Sequence, residues 1–175
     1  GDLSRALEIL RPHFVVHLTV VSEEEIVLLE QHGTPVILNP RANMALGLPA
    51  PPVARLLRSG VPVLLGTDNG MLNGPSLLSE LDFVYRLARS QSGPDDPVHP
   101  REVLKTVTTA VGRTLLGKRF PGRLEVGLPA SFVEVDFSSG HLCDSQEIHA
   151  TLVTRVQPGD ICKTVRAGRI LYERE

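Results

Sequence analysis

Two side chains that can bind a metal or carry a proton each follow a short apolar run. His17 comes directly after residues 14–16, and Asp68 follows the run Val61–Leu65. A carboxylate can ligate a divalent cation and can also accept a proton from activated water. An imidazole can ligate a metal, or it can hold the attacking water and the substrate carbonyl. Together the two residues indicate metal-assisted hydrolysis.

Each of these residues also has a structural interpretation. Asp68 opens an Asp-Asn-Gly sequence, which is common in turns where the first side chain bonds the backbone. His17 could be a core histidine that bonds a backbone group. The other histidines have no ligand-like spacing and are predicted to be surface or turn residues: His13, His32, His99, His141 and His149.

The segment from Asn39 to Asn43 follows a second apolar run. Asn43 is expected to stabilise the loop through backbone hydrogen bonds, or else to face the substrate. Arg41 could bind an anionic substrate group through its forked guanidinium, or it could be an ordinary exposed loop residue. Residues 70–74 do not form a phosphate loop, because no Gly-Lys-Ser or Gly-Lys-Thr sequence follows them.

The elements that position these residues alternate between helix and strand over residues 1 to about 117. Short, apolar, non-alternating strands separated by helices indicate parallel βα units that are buried on both faces. Polar residues at the carboxyl ends of such strands share one edge of the sheet. The predicted strands are 14–16, 35–38 and 61–65. The predicted helices start at Asp2, after the capping box of Ser22 and Glu25, after Pro51-Pro52, at Ser76 (to about 90) and at Pro100 (to Leu116, with Gly117 at its end).

From about residue 122 the pattern changes to short strand-like runs between turns, at 123–126, 131–137, 161–167 and 169–172. Residues 149–156 fit either a strand or a helix. We therefore predict two parts, a β/α part over residues 1–119 and a β-rich part over residues 120–175.

Composition excludes several classes of protein. The 175 residues include 18 basic and 20 acidic side chains, for a net charge of −2, so neither a nucleic-acid footprint nor a polybasic membrane patch is expected. The apolar runs are too short to span a membrane. Cys143 and Cys162 form no Cys-x-x-Cys pair, and no signal peptide is visible, so a cytoplasmic location is expected.

Taken in order, these segments resemble the metal-dependent amidohydrolase superfamily, in particular its cytosine deaminase, chlorohydrolase and adenosine-type deaminase branch. His17 with the helix start at Ser22–Ile26 is similar to the family's sixth strand and following helix. Residues 39–43 resemble its seventh-strand motif Cys-Pro-x-Ser-Asn, with Asn39 in place of cysteine and Ala42 in place of serine. Residues 60–68 resemble the eighth strand.

The resemblance continues through the rest of the chain. Residues 108–117 are similar to a Thr-x-x-Gly-Ala-x-x-Leu-Gly segment, with Val111-Gly112 in place of Gly-Ala. Residues 122–136 resemble the entry to a C-terminal β-sandwich, with Ser131 at a position where aspartate is usual. Residues 165–171 resemble the closing strand pair.

This resemblance implies an α/β fold that is the C-terminal part, about strands 6–8, of a TIM-type β/α barrel, followed by a small β-sandwich-type segment. The family's His-x-His pair on the first strand and its histidine on the fifth strand belong to a region upstream of this one. The chain alone is therefore expected to be inactive. Its expected partner is the N-terminal half of the barrel or a second copy of itself.

The resemblance also implies hydrolysis of a non-peptide C–N bond, such as deamination of a nucleobase-like, nucleoside-like or other heterocyclic small molecule. The expected cofactor is a divalent metal, zinc or iron. Asp68 would ligate it and shuttle a proton. His17 would orient the hydroxide, and would ligate metal only in a two-metal site. Asn43 and Arg41 are candidate substrate contacts. The alternatives are a non-catalytic half-chain that acts in assembly and a dihydropyrimidinase-like cyclic amidase.

Overall fold

Two small sheets organise the chain, and a computed structural model describes residues 2–116 and 120–175 of it. The first sheet is parallel, with strands in the order β1, β2, β3. The second is antiparallel, in the order β4, β5, β6. The predicted change from parallel to antiparallel strands is thereby confirmed. The strands are β1 (Val15–Val16), β2 (Val36–Leu38), β3 (Val63–Leu65), β4 (Phe132–Val135), β5 (Ile161–Arg166) and β6 (Arg169–Glu173).

Helices follow or precede each strand of the parallel sheet. They are α1 (Asp2–Leu10), α2 (Glu23–His32), α3 (Pro40–Ala45), α4 (Val53–Arg58), α5 (Leu77–Ser92), α6 (Pro100–Lys105), α7 (Thr109–Val111) and α8 (Ile148–Thr154). A π-helical turn covers Gly112–Leu116, and a 3₁₀ turn covers Pro158–Asp160. Among the described residues, no helix is both long enough and apolar enough to cross a membrane.

The capping box predicted at the start of α2 is present. The Ser22 hydroxyl accepts a hydrogen bond from the Glu25 amide at 3.2 Å, and the Glu25 carboxylate accepts one from the Ser22 amide at 3.0 Å. These bonds satisfy two of the amides that a helix start leaves unpaired. The helix ends at His32 and is capped by Gly33, whose φ of 62° is the left-handed conformation that glycine adopts without strain.

The main core lies between the parallel sheet and its helices. Leu29, Leu38 and Val84 are fully buried there. The segment 149–156, which the sequence left open between strand and helix, contributes α8, whose Val153 is buried in the same core. Because α8 packs on α5 and α6, the C-terminal part is not β structure alone.

The single helix predicted over residues 100–116 is wrong. The chain forms α6, a turn, α7 and a π-helical turn instead. Two threonine hydroxyls lie at the break: that of Thr106 donates to the Val103 carbonyl at 2.6 Å, and that of Thr108 donates to the Leu104 carbonyl at 2.9 Å. Such bonds compete with the helical amides for the same acceptors. Gly117, the predicted helix end, lies outside the described residues.

Two further expectations fail. Residues 123–126 form no strand, and the side chains of Leu124 and Val126 are exposed. Residues 39–43, predicted to be a loop, instead begin α3, with Pro40 in its first turn. Proline suits that position because its missing N–H would have no helical partner there. The division into parts 1–119 and 120–175 stays a prediction.

Both outer edges of the parallel sheet lack a strand neighbour among the described residues. On the β3 side, the Leu65 amide donates to the Thr106 carbonyl at 3.4 Å. On the β1 side, the nearby apolar side chains of Phe14, Val16 and Val20 are exposed. An open parallel edge with apolar side chains is prone to pair with another chain.

We therefore expect the isolated 175-residue chain to dimerise or aggregate. Val16→Lys should reduce the association, because a charge on an edge strand opposes pairing. The matched control is Val27→Lys, on the exposed face of α2, which should leave it unchanged. Analytical ultracentrifugation over a concentration series measures the effect. A clean wild-type monomer at high concentration would contradict the prediction.

Candidate functional site

The carboxyl ends of β1, β2 and β3 lie side by side. The His17 amide donates to the Ile37 carbonyl at 2.9 Å, and the Gly66 amide donates to the Leu38 carbonyl at 2.9 Å. Neighbouring strands are spaced about 4.8 Å apart, so β1 and β3 are separated by about 10 Å across β2. The structure therefore brings the segments that carry His17 and Asp68 to one edge of the sheet, as the sequence predicted.

The backbone at this edge has an uncommon conformation. His17, Leu18 and Asp68 have φ angles of 74°, 48° and 59°. Residues other than glycine seldom adopt positive φ, because the Cβ atom approaches the following carbonyl oxygen. Such conformations persist where the surrounding structure holds them, and they are concentrated at functional sites. Both predicted catalytic residues are held in this way.

His17 is fixed by a hydrogen bond to Asn43 of α3. The distance from Nδ1 of His17 to Oδ1 of Asn43 is 2.8 Å. Because an amide oxygen only accepts, Nδ1 carries the hydrogen and the Nε2 lone pair is left for another partner. Asn43 is 1% exposed, and its Nδ2 has no partner among the described residues.

Within residues 2–116, the side chain of Asn43 makes no bond to the loop backbone of the kind predicted from the sequence, although its main chain bonds the segment that follows. Its carbonyl accepts a hydrogen bond from the Leu48 amide at 2.9 Å. The side chain, however, lies on a helix and bonds His17. Asn43 therefore connects the carboxyl end of β1 with the helix that follows β2.

Asp68 is exposed. The side-chain-to-backbone hydrogen bonds that the turn sequence predicted for Asp68 are made by Asn69 instead. The side-chain oxygen of Asn69 accepts hydrogen bonds from the Met71 amide at 3.0 Å and the Leu72 amide at 3.3 Å. Within the described ranges, the Asp68 carboxylate has no hydrogen-bond or ion-pair partner. The turn thus holds Asp68 in place while leaving both of its oxygens available.

Asn39 has a role that the sequence reasoning missed. This residue is 5% exposed. With its amide oriented to satisfy both ends, its nitrogen donates to the Leu38 carbonyl at 3.1 Å and to the Gly66 carbonyl at 2.9 Å. A Cβ atom at position 66 would come within 2.5 Å of this amide, so the contact needs glycine there. The sequence signal for this role was the asparagine at the end of a predicted strand, at the position where the motif that residues 39–43 resemble has cysteine.

Arg41 contacts Glu80 of α5, a residue that the sequence reasoning did not single out. Nη1 of Arg41 lies 3.4 Å from Oε1 of Glu80, and the two side chains are 25% and 0% exposed. Burial raises the pKa of Glu80, and the nearby Arg41 opposes that shift. Position 80 lies on the same face of α5 as the apolar positions 84 and 88. The sequence signal for a buried carboxylate was therefore a glutamate within an apolar helical stripe.

The donors at this edge suit a divalent cation but are too few to hold one alone. An unpaired carboxylate and a free imidazole lone pair are both metal-ligand groups. Among the described residues, no group of three or more His, Cys, Asp or Glu side chains is placed to bind an ion. The remaining histidines are elsewhere; His141, for example, pairs with Asp160 at 3.0 Å.

Comparison with known proteins gives one consistent family. Residues 7–171 match the model of the Amidohydrolase family. The chain is 33% identical over 168 residues to the 5-methylthioadenosine/S-adenosylhomocysteine deaminase of Syntrophobacter fumaroxidans, covering 94% of this chain and 38% of the relative. It is 27% identical over 164 residues to the protein of the same description from Caldanaerobacter subterraneus subsp. tengcongensis, with coverages of 93% and 38%.

A solved structure shows the same fold. The match is an adenosine deaminase from Xanthomonas campestris with bound zinc, with a TM-score of 0.83 and 26% identity over 89% of this chain and 36% of that one. The chain thus spans little more than a third of the length of the proteins that it matches.

The positive φ of Asp68 leads to a prediction about the stability of variants at this position. Asp68→Gly should unfold at the wild-type temperature or above it, because glycine avoids the left-handed penalty of about 1–2 kcal/mol. Asp68→Val should lower stability by about 1–2 kcal/mol, because a β-branched side chain fits this conformation worst. The matched control is Asp68→Asn, since asparagine tolerates this conformation. The measurement is circular-dichroism melting of the complete protein in chelator. Equal losses for the glycine and valine variants would contradict it.

Proposed function

Because the chain belongs to the amidohydrolase family, we propose that it is the C-terminal part of a metal-dependent hydrolase. In this proposal β1, β2 and β3 are the last three strands of a TIM-type barrel, and β4–β6 belong to an appended sandwich. The parallel order of the first sheet and its two open edges support this arrangement. The remaining barrel strands, from the rest of the protein or from another chain, would cover those edges.

The proposed reaction is hydrolytic removal of an amino group from a nucleoside-like or related heterocyclic small molecule. The observation that carries it is the placement of His17 and Asp68 at one edge of the parallel sheet, each in a strained backbone conformation. The deaminases among the relatives support a C–N bond as the target.

Asp68 is the proposed metal ligand and proton carrier of this chain. When bound, a divalent cation supplies Lewis-acid activation of water and substrate, and the zinc in the adenosine deaminase structure supports zinc as that cation. The Asp68 carboxylate accepts the proton of the attacking water and delivers it to the leaving nitrogen.

His17 is proposed to act beside Asp68 rather than as a ligand. Its Nδ1–H is engaged by Asn43, so Nε2 can accept a hydrogen bond from the attacking water in the neutral ring. In the protonated ring Nε2 can donate one to the oxygen that forms. Both states keep the Asn43 bond, and the ring orientation is therefore unchanged through the reaction.

Replacing Asp68 tests the function directly. In the complete enzyme at saturating metal, Asp68→Asn should cut turnover by about 10²-fold or more, because an amide cannot take the proton. The measurement is ammonia release from a panel of purine and pyrimidine nucleosides and bases. Turnover within twofold of the wild type would refute the role of Asp68, and absence of ammonia from every wild-type reaction would refute deamination of these compounds.

Replacing His17 separates a one-metal site from a two-metal site. We expect His17→Ala to keep the wild-type metal content per complete barrel while turnover collapses, because in this proposal Nε2 of His17 contacts water and substrate and does not ligate the metal. Metal analysis of the purified variant by inductively coupled plasma mass spectrometry decides this. Metal loss would make His17 a ligand. Normal activity would leave it with a structural role alone.

A further inference from the structure

Glu80 is a buried carboxylate at a position where its helix, α5, could carry an apolar side chain instead. Its side chain is fully buried on α5, and its Oε2 has no partner among the described residues. Burying a carboxylate costs several kcal/mol unless its partners compensate for the lost water. A leucine at this position would extend the apolar stripe of α5 through Val84 and Ala88. The carboxylate therefore needs a purpose other than packing.

The residue that Glu80 contacts is Arg41. Nη1 of Arg41 lies 3.4 Å from Oε1 of the carboxylate, and burial raises the pKa of Glu80 while the charge of Arg41 opposes that rise. A buried carboxylate thus restrains the guanidinium of Arg41. A flexible side chain held this way loses little further conformational entropy when it binds something else.

Arg41 follows the same edge of the parallel sheet that carries the site described above. It is in the first turn of α3, directly after β2, and β2 lies between the strands that lead to His17 and Asp68. One quarter of its side chain remains exposed. In the described part of the chain, its Nε and Nη2 have no hydrogen-bond partner, so one edge of the guanidinium fork is open.

We infer that Glu80 positions Arg41 to receive an anionic oxygen group of the substrate. This inference rests on the proposed function and adds a substrate class to it: a heterocycle or nucleoside that carries a carboxylate or a phosphate away from the reacting carbon. The planar fork of arginine binds both groups through paired hydrogen bonds. Arg41 contacts the substrate, and Glu80 acts through Arg41 as a positioning residue.

The test compares compounds that differ in the anionic group. The carboxylate pair is adenosine-5′-carboxylic acid and adenosine, and the phosphate pair is adenosine 5′-monophosphate and adenosine. Dissociation constants are measured by calorimetry, and KM and kcat by ammonia release, for the complete wild-type enzyme and for Arg41→Ala, Arg41→Lys and Glu80→Gln. The matched control is Arg86→Ala, which removes an exposed arginine of α5 that pairs with Asp82 on the same helix.

We expect the wild type to prefer the anionic member of one pair, and the preferred pair identifies the group. Arg41→Ala should weaken binding of that member by about 10- to 100-fold, the range for a hydrogen bond to a charged group, with kcat and the neutral member little changed. Arg41→Lys should restore part of the loss. Glu80→Gln should weaken the anionic member selectively, whereas a merely structural role would weaken both. Arg86→Ala should behave as the wild type.

Three results would overturn the inference: no preference for either anionic compound in the wild type, a preference that survives Arg41→Ala, or equal losses for both members of a pair. The proposed function is judged separately. Binding selectivity without ammonia release would refute deamination of these compounds and leave the role of Arg41 standing. Ammonia release without binding selectivity would refute the role of Arg41 and leave the proposed deamination standing.

Discussion

The pairing of β2 with both of its neighbours is the constraint on which the site depends. The strand is three residues long and buried, yet it fixes the register of β1 on one side and β3 on the other. A slip of one residue in either pairing would turn the strand-end side chains to the opposite face. His17 and Asp68 would then no longer approach the same volume. The register of the three strands therefore determines where His17 and Asp68 lie, more than the conformation of their own loops does.

Polar side chains just beyond the strands hold that arrangement in place. Asn39 bridges the ends of β2 and β3, Asn43 connects α3 to the end of β1, and Glu80 connects α5 back to α3. These residues are buried, so each bond forms in an environment where an unpaired polar group would be costly. Two atoms of this network, Nδ2 of Asn43 and Oε2 of Glu80, have no partner among residues 2–116 and 120–175.

The sequence predicted the parts of the structure that local rules determine. The strands before His17 and Asp68 follow from apolar runs, and the start of α2 follows from Ser22 and Glu25 three residues later. It failed where side-chain hydrogen bonds, local or distant, decided the structure. Thr106 and Thr108 end a helix that periodicity alone would continue, by bonding carbonyls of its last turn, and Asn39 and Glu80 acquire their roles through Gly66 and Arg41, which are distant in the chain. Periodicity placed position 80 on a buried face but did not indicate the partner of either side chain.

The position of α8 has a consequence for how the chain folds as it is synthesised. Val153 is buried in the same core as Leu7, so that core cannot be completed until residue 153 has left the ribosome. Until then α5 and α6 expose the apolar surface that α8 covers. Contacts so distant in sequence form slowly, because the entropy of loop closure opposes them. The interval before α8 docks is therefore when a nascent chain of this kind is most exposed to aggregation and most in need of a chaperone.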